Sequence, residues 1–212
     1  MAPSPAPSDK PFAAVIVAAG AGVRAGQPLP KQFAPWRGSS VLRHAVQSLR
    51  AAGAGTIAIA VPPGAEPQAS SLLEDIVDLR IFSGGTTRQA SVAIALDVLA
   101  DDAPDLVLIH DAARPDCPAD VVARLLGALA TSAGAIPVLP VVDSLVAAAG
   151  NMMGTPVGRE ALRRVQTPQA FRFAAIRAAH QSWSGVKDAG DDAQVLDAAG
   201  GTVALVAGDE RL

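Results

Sequence analysis

Residues 14–32, AVIVAAGAGVRAGQPLPKQ, constrain the fold of this chain more than any other stretch. The β-branched run at 15–17 predicts a buried strand, and Gly20 and Gly22 after it predict a tight turn. A strand that opens into glycines can bring backbone N–H groups directly against phosphates. We therefore expect a phosphate or nucleotide site at the end of the first strand.

This turn matches neither of the two common phosphate-binding patterns. No third glycine follows at the dinucleotide spacing, because residue 25 is Ala, and there is no G-x-x-x-x-G-K-[ST] sequence. The loop instead carries two cations, Arg24 and Lys31. Placed over a triphosphate, they could neutralise charge that grows during transfer of a phosphorus group. A tight turn with two solvated cations is the alternative, and these residues alone leave it open.

Composition narrows the class of protein. The 212 residues, half of them apolar, suit one α/β domain or a domain with a projecting arm. The net charge of −3, without a basic run, argues against nucleic acid or an anionic membrane as partner. Cys117 is the only cysteine, which excludes an intrachain disulfide and a Cys-based zinc site. The Pro-, Ser- and Ala-rich residues 1–11 predict a disordered tail, and the chain as a whole predicts a cytoplasmic enzyme.

Strand-like and helix-like segments alternate, which is typical of a doubly wound, mostly parallel α/β sheet. The predicted strands cover residues 13–18, 56–61, 79–82, 105–110, 134–142 and 202–206. The predicted helices cover residues 41–52, 68–77, 88–100, 118–129, 171–182 and 188–199. Prolines within 134–142 indicate an edge strand or a bend. Asp188, Asp191 and Asp192 open the last helix as dipole and cap partners, with a metal cluster as the weaker interpretation.

The stretch SGGTTRQASV, residues 83–92, again runs from strand through glycines into a helix. Its glycines allow close approach of backbone to a flat ligand, and Thr86 and Ser91 could bind a base or ribose. Capping of the first helical turn is the stronger interpretation of Ser91 from the residues alone. Arg88 is expected to brace this loop by pairing rather than by touching a ligand.

HDAARP, residues 110–115, follows the fourth predicted strand, and ligands of open α/β sheets bind outside such strand ends. Asp111 is the candidate ligand for Mg²⁺ beside a triphosphate, and capping of the next turn is the alternative. His110 is expected to be a buried, hydrogen-bonded residue that orients the loop rather than a base. Arg114 is either structural or reaches an acceptor phosphate.

Residues 143–166 mix glycines and prolines with short apolar pieces, which is unusual for a globular core. A long hairpin that projects from the sheet is the predicted structure. Such an arm usually needs a partner surface.

Four stretches in this order, AAGAGVRAG…PKQF, SGGTTRQASV, HDAARP and QTPQAF, resemble the 2-C-methyl-D-erythritol 4-phosphate cytidylyltransferase family of the non-mevalonate isoprenoid pathway. The resemblance spans residues 12–212. It implies a Rossmann-like fold of the nucleotide-diphospho-sugar transferase type, transfer of CMP from CTP to a polyol phosphate, and Mg²⁺ as cofactor. It also implies a homodimer formed through the β-arm.

The resemblance implies a role for each residue that matches a family motif. The implied catalytic residues are Arg24, Lys31 and Arg159. The implied nucleotide-binding residues are Ala18, Ala19, Gly20, Gly22, Gly85, Thr86, Ser91 and Asp111, the last also holding the metal. The implied acceptor-binding residues are Ser144, Arg159, Thr167 and Arg114, with Ser144 and Arg159 reaching the neighbouring subunit's acceptor pocket. Ser144 stands where the family more often has Thr.

The chain departs from the family pattern at its end. It stops at Leu212, where family members continue with an N-x-K-x-T segment whose Lys helps to seat the acceptor phosphate. A trimmed chain and the first part of a longer enzyme, fused to the cyclodiphosphate synthase of the same pathway, both fit. Ribitol 5-phosphate is the alternative acceptor, and a CTP-binding, dimerising module with impaired turnover is the alternative of another class. A nicotinamide-dependent reductase is disfavoured by the missing third glycine.

Overall fold

The first strand, β1 (Phe12–Val17), lies in the interior of the sheet, where both of its neighbours pair with it in parallel. The computed structural model describes residues 12–20, 30–184 and 189–212. The predictions for the tail at 1–11, for Gly22 and Arg24, and for Asp188 lie outside these residues. Every residue of β1 is apolar and five of the six are buried, as a strand covered on both faces requires.

The central sheet is mixed and mostly parallel. Besides β1, its strands are β4 (Ala54–Val61), β5 (Leu79–Ser83), β6 (Leu106–Asp111), β7 (Gly134–Pro140), β10 (Arg163–Val165), β11 (Gln169–Arg172) and β12 (Val203–Ala207). They lie in the order β10–β7–β11–β6–β1–β4–β5, and β12 pairs with β7 in addition. Strands β11 and β10 are antiparallel to their neighbours, while β1, β4, β5 and β6 run parallel, as do β7 and β12.

Helices cover both faces of this sheet. They are α1 (Val41–Ala51), α2 (Glu66–Leu72), α3 (Arg88–Val98), α4 (Ala119–Ala128), α5 (Phe173–Ser182) and α6 (Asp192–Ala198). One core lies under α1 and α4 and includes Ile16 and Leu108, and the other lies under α3, α5 and α6 and includes Val15 and Val107. Successive residues of β1 and β6 thus point into opposite cores, which confirms the doubly wound fold.

Two short strands, β2 (Pro35–Trp36) and β3 (Ser39–Ser40), form a small hairpin that was not predicted. Helix α2 begins at Glu66, earlier than predicted, because Pro67 lies in its first turn, where a missing N–H breaks no helical hydrogen bond. In the described part of the chain, no helix has the length and apolar character needed to cross a bilayer.

Strand β7 corrects the prediction of an edge strand. It pairs with β12 on one side and with β10 and β11 on the other. The Gln166 N–H donates to the Pro137 carbonyl at 2.9 Å. In a strand, the N–H and the C=O of one residue point to the same side. Proline has no N–H, and at Pro137 the missing N–H would point, like the carbonyl, into the gap between β10 and β11.

Strand β11 is a second correction, since residues 171 and 172 were predicted to begin a helix. Phe171 instead pairs with Val107 of β6 and Gly134 of β7 and is fully buried. The helix begins only at Phe173, after the chain has crossed the sheet.

The predicted arm contains an antiparallel hairpin of β8 (Leu145–Ala149) and β9 (Met152–Val157). Most of its residues are exposed, including Met152 and Met153, at 74% and 73%. Residues 163–165, which the prediction assigned to the arm, belong to the central sheet as β10. We call residues 141–162 the arm below.

Candidate nucleotide-binding site

A cavity of about 720 Å³ opens at the carboxyl ends of β1 and β6 and beside the start of α3. Eight predicted site residues line it together: Ala18, Ala19, Gly20, Lys31, Gly85, Thr86, Ser91 and Asp111. Three segments far apart in sequence thus meet where an open α/β sheet binds ligands. Gly22 and Arg24 lie outside the described residues, so their placement stays a prediction.

The floor of the cavity is formed by Ala18, Ala19 and Gly20, which follow β1 and which we call the exit of β1. The Ala18 N–H donates to the Ala60 carbonyl at 2.8 Å, which is the last parallel bond of this strand to β4. The side-chain amide of Gln32 donates to the Ala18 carbonyl at 2.6 Å and to the Gly20 carbonyl at 3.2 Å. Gln32 is a site residue that the sequence interpretation missed, although the PKQF stretch contains it.

Lys31 begins a three-residue 3-10 turn, Lys31–Phe33, and its side chain is exposed at the cavity. The next two residues, Gln32 and Phe33, are buried, at 5% and 4% exposure. The backbone that follows Lys31 is therefore anchored, while Lys31 itself is exposed at the cavity. That arrangement suits a cation that meets an incoming anion.

The glycine turn at 84–85 packs against the exit of β1. A Cβ placed on Gly84 would lie 2.3 Å from the Cβ of Ala19, so only glycine allows this approach. Thr87 is the N-cap of α3, accepting from Ala90 N at 3.0 Å, so the structure excludes capping, the alternative interpretation of Ser91. Nucleotide binding by Ser91 stays a prediction. The Ser91 hydroxyl accepts from Gly85 N at 3.0 Å and donates to the Thr87 carbonyl at 2.9 Å, which fixes the glycine turn.

Asp111 lies at the end of β6 and is held by Arg88. The Nε and Nη2 atoms of Arg88 both lie 3.3 Å from Asp111 Oδ1, and the Asp111 side chain remains 38% exposed. Arg88 thus pairs as expected, but it also lines the cavity, so the expectation that it does not touch a ligand stays a prediction. The long contacts leave carboxylate lone pairs of Asp111 free toward the cavity.

Arg88 also reaches into the core. Its Nη1 lies 2.7 Å from Asp192 Oδ2, and Asp192 is fully buried, with His180 Nε2 3.1 Å from its other oxygen. Burial acts to lower the pKa of Arg88, but Asp192 and Asp111 outweigh it and raise the pKa above its ordinary value. Asp191 caps α6 by accepting from Gln194 N, and Asp192 lies in the first turn of α6, both as predicted. Asp192 is in addition a buried ion-pair partner of Arg88, which the sequence did not indicate.

A directed chain of hydrogen bonds orders the turn after β6. His110 is fully buried, with Nε2 2.8 Å from the Arg114 carbonyl and Nδ1 3.2 Å from Thr167 Oγ1. A carbonyl can only accept, so Nε2 carries the proton and Nδ1 accepts from the Thr167 hydroxyl. The same hydroxyl accepts from the Asp111 N–H at 3.1 Å. His110 therefore orients this loop, as expected.

These hydrogen bonds involve two residues that were predicted to bind the acceptor phosphate. Thr167 is only 5% exposed and directs its hydroxyl proton at His110, so the arrangement makes it a support for Asp111. Arg114 donates its backbone N–H to the Asp111 carbonyl at 3.0 Å and does not line the cavity. A direct contact of either residue with an acceptor phosphate stays a prediction.

The free energy of unfolding should decrease as the pH is lowered, because the pKa of His110 is lowered from 6.5 to about 4. The main cause of this lowered pKa is burial of the side chain. The unfolded chain takes up this proton below pH 6.5 while the folded chain resists it until about pH 4. Unfolding is therefore favoured progressively across that window, by about 3 kcal/mol in total. Urea unfolding at pH 7, 6 and 5 should give a flatter pH dependence for His110→Gln than for the unaltered chain. Parallel curves would contradict this.

The two arm residues lie outside the cavity of their own chain. Ser144 and Arg159 are both exposed, and an Arg159 Nη1–H donates to the Val142 carbonyl at the base of the arm. Neither is among the residues that line the cavity. This placement fits residues that act on a neighbouring subunit, and that action stays a prediction.

The donor set at the cavity fits a metal ion that arrives with phosphates. Among the residues that the structure describes, no three His, Cys, Asp or Glu side chains cluster closely enough to hold a metal. Asp111 is the single carboxylate of the described cavity wall. Mg²⁺ is commonly held by one or two carboxylates together with substrate phosphates and water. A lone carboxylate is therefore sufficient if a triphosphate supplies other ligands.

The chain was compared with known proteins. The family model described as IspD, 2-C-methyl-D-erythritol 4-phosphate cytidylyltransferase, matches residues 12–211. The chain belongs to this family. It is 45% identical over 202 residues to the 2-C-methyl-D-erythritol 4-phosphate cytidylyltransferase of Cereibacter sphaeroides, covering 93% of this chain and 88% of that protein.

Other relatives of the chain are longer. It is 59% identical over 210 residues to the bifunctional enzyme IspD/IspF of Erythrobacter litoralis, covering 99% of this chain and 54% of that protein. The chain thus spans about half the length of such bifunctional relatives, and a fusion here stays a prediction. Among solved structures, the cytidylyltransferase of Thermus thermophilus aligns with a TM-score of 0.78 and 40% identity, covering 95% of this chain and 90% of that chain.

Proposed function

We propose that this chain transfers CMP from CTP to 2-C-methyl-D-erythritol 4-phosphate and releases pyrophosphate. The observation that carries the proposal is the family match over residues 12–211, on a chain in which seven predicted nucleotide-binding residues and Lys31 line one cavity. A cavity of about 720 Å³ is large enough for a nucleoside triphosphate and part of a second substrate.

In the proposed reaction, a phosphate oxygen of the acceptor forms a new bond to the α-phosphorus of CTP. The bond from that phosphorus to the bridging oxygen breaks, and pyrophosphate leaves with the electron pair. The acceptor phosphate is already ionised, so no strong general base is required. Catalysis then consists of positioning and of neutralising charge on the crowded α-phosphoryl group. Lys31 supplies one positive charge to that group, and Arg24 is proposed to supply a second.

The protein also sets the geometry around the triphosphate. Backbone groups of Ala18, Ala19 and Gly20 line the nucleotide, and the turn at Gly85 and Thr86 receives the base. Asp111 would hold Mg²⁺, which when bound would offset the negative charge of the triphosphate. Arg88 keeps the Asp111 carboxylate in place from the side of the core.

We propose further that two chains pair through the arm. Val146, Met152, Met153 and Val157 are exposed on the hairpin at 48%, 74%, 73% and 42%. Apolar side chains on a projecting ribbon are covered when a second chain packs against them. Ser144 and Arg159 would then reach the acceptor pocket of the neighbouring chain.

Pyrophosphate release from CTP and Mg²⁺ tests the function on this 212-residue chain. 2-C-methyl-D-erythritol 4-phosphate and ribitol 5-phosphate are offered in parallel, with calorimetry to follow CTP binding. Pyrophosphate release in the presence of 2-C-methyl-D-erythritol 4-phosphate supports the proposal. Release only in the presence of ribitol 5-phosphate would make that compound the acceptor. If CTP binds but no pyrophosphate is released with either acceptor, the chain is not a cytidylyltransferase on its own, and a CTP-binding module is favoured.

A further inference from the structure

We infer that Gln32 is a positioning residue that fixes Lys31 relative to the backbone of Ala18–Gly20. This inference rests on the proposed function, because it assigns to Gln32 a part in the same site. It concerns a side chain that acts through Lys31 rather than one that touches the nucleotide.

The amide of Gln32 is buried and fully used as a donor. The side chain is 5% exposed, and its nitrogen lies 2.6 Å from the Ala18 carbonyl and 3.2 Å from the Gly20 carbonyl. An amide nitrogen has two hydrogens, and each has an acceptor here. One side chain therefore ties down two carbonyls at the exit of β1.

The Ala18 carbonyl needs such a donor because Ala18 is buried, whereas Gly20 is exposed. The regular pairing of β1 with β4 ends at the Ala18 N–H, so the next carbonyls have no strand partner. A buried carbonyl without a donor is destabilising, and one that faces a triphosphate repels it. Gln32 satisfies both groups and so holds the exit of β1 in a single conformation.

Gln32 is also connected to Lys31, its neighbour in the chain. Gln32 and Lys31 share one 3-10 turn, in which the Phe33 N–H donates to the Pro30 carbonyl at 2.9 Å and the Ala34 N–H to the Lys31 carbonyl at 3.1 Å. Phe33 is buried in the core at 4% exposure. The turn is thus rigid, and the amide of Gln32 sets the distance from the Lys31 backbone to the nucleotide floor.

Lys31 is available for an anion in this position. In the described ranges of the chain, no acidic side chain forms an ion pair with it. A cation of this kind acts on the transition state only if its place is set in advance, and a shift of about 1 Å can cost about 10²-fold in rate.

Two variants remove the amide donor. Gln32→Ala deletes it, and Gln32→Met has a similar length, fills the buried space and donates nothing. Each is expected to lower kcat by about 10²-fold with little change in the Kd for CTP, measured by calorimetry. Gln47→Ala, on the exposed face of α1, is the matched control and should leave both quantities unchanged.

A double variant shows whether Gln32 acts through Lys31. If it does, Lys31→Ala with Gln32→Met should have the same kcat as Lys31→Ala alone, because the positioned group is already gone. If Gln32→Met retains kcat, or lowers it by the same factor with and without Lys31, the inference is overturned.

Amine acylation provides a readout that does not need turnover. The chain has three lysines, Lys10, Lys31 and Lys187, so mass spectrometry can follow Lys31 individually. Bound CTP should protect Lys31 from acylation in the unaltered chain and in Gln47→Ala, but not in Gln32→Met saturated with CTP. Equal protection in Gln32→Met, or no protection in the unaltered chain, overturns the inference. If CTP protects Lys31 in the unaltered chain and not in Gln32→Met, but no pyrophosphate is released, only the proposed function is contradicted.

Discussion

Lys31→Ala should lower the kcat for CMP transfer by about 10²-fold or more, comparable to losing one preorganised donor to a developing anion. Lys31 is exposed at the cavity while the residues that follow it, Gln32 and Phe33, are buried, so loss of its side chain removes charge without disturbing the core. Initial rates of pyrophosphate release at saturating CTP and acceptor give the measurement.

Arg177→Ala is the control for loss of a cation. Arg177 pairs with Asp97 at 3.0 Å, and both side chains are largely solvated, at 37% and 61% exposure. Neither residue lines the cavity. A Lys31→Ala chain that turned over as fast as Arg177→Ala would remove Lys31 from the proposed catalytic residues.

Arg88→Met should destabilise the fold by about 3–5 kcal/mol, because it breaks a buried ion pair from one side. Asp192 is fully buried and 2.7 Å from Arg88, so the variant leaves its carboxylate with His180 as the remaining partner. The free energy of unfolding from urea titrations at pH 7 measures the effect. The solvated pair at Arg177 provides the contrast, since Arg177→Met should cost less than about 1 kcal/mol.

A compensating change separates the buried charge from lost packing. Arg88→Met combined with Asp192→Asn removes both charges and should recover part of the lost stability. If Arg88→Met is no more destabilising than Arg177→Met, the pair does not hold α3 to α6.

Local pattern was sufficient to predict much of this fold. A β-branched run before glycines predicts the β1 exit, and the alternation of strands with amphipathic helices predicts a doubly wound sheet. The carboxyl-end rule then places Asp111 beside that exit, where the structure has it. These features depend on residues close together in sequence or on a general property of parallel sheets.

What the sequence did not reveal depends on partners far along the chain. Phe171 lies in a stretch that favours a helix, but pairing with β6 and β7 overrides that preference. Asp192 looks like an ordinary first-turn acid, and only the fold brings it to Arg88. Gln32 looks like any other polar residue until its amide meets carbonyls 14 and 12 residues earlier.

The arm joins the sheet in a way that separates two kinds of sequence change. Pro140 of β7 and Arg163 of β10 are directly opposite each other, so residues 141–162 are an insertion at the closed end of an ordinary hairpin. Lengthening such a connection costs little, about 0.6 kcal/mol for each doubling of its length. The arm can therefore change in length while the strands of the sheet keep their register. Length variation in the arm is thereby separated from the framework of the sheet, whereas Ser144 and Arg159 stay tied to the acceptor pocket by the proposed function.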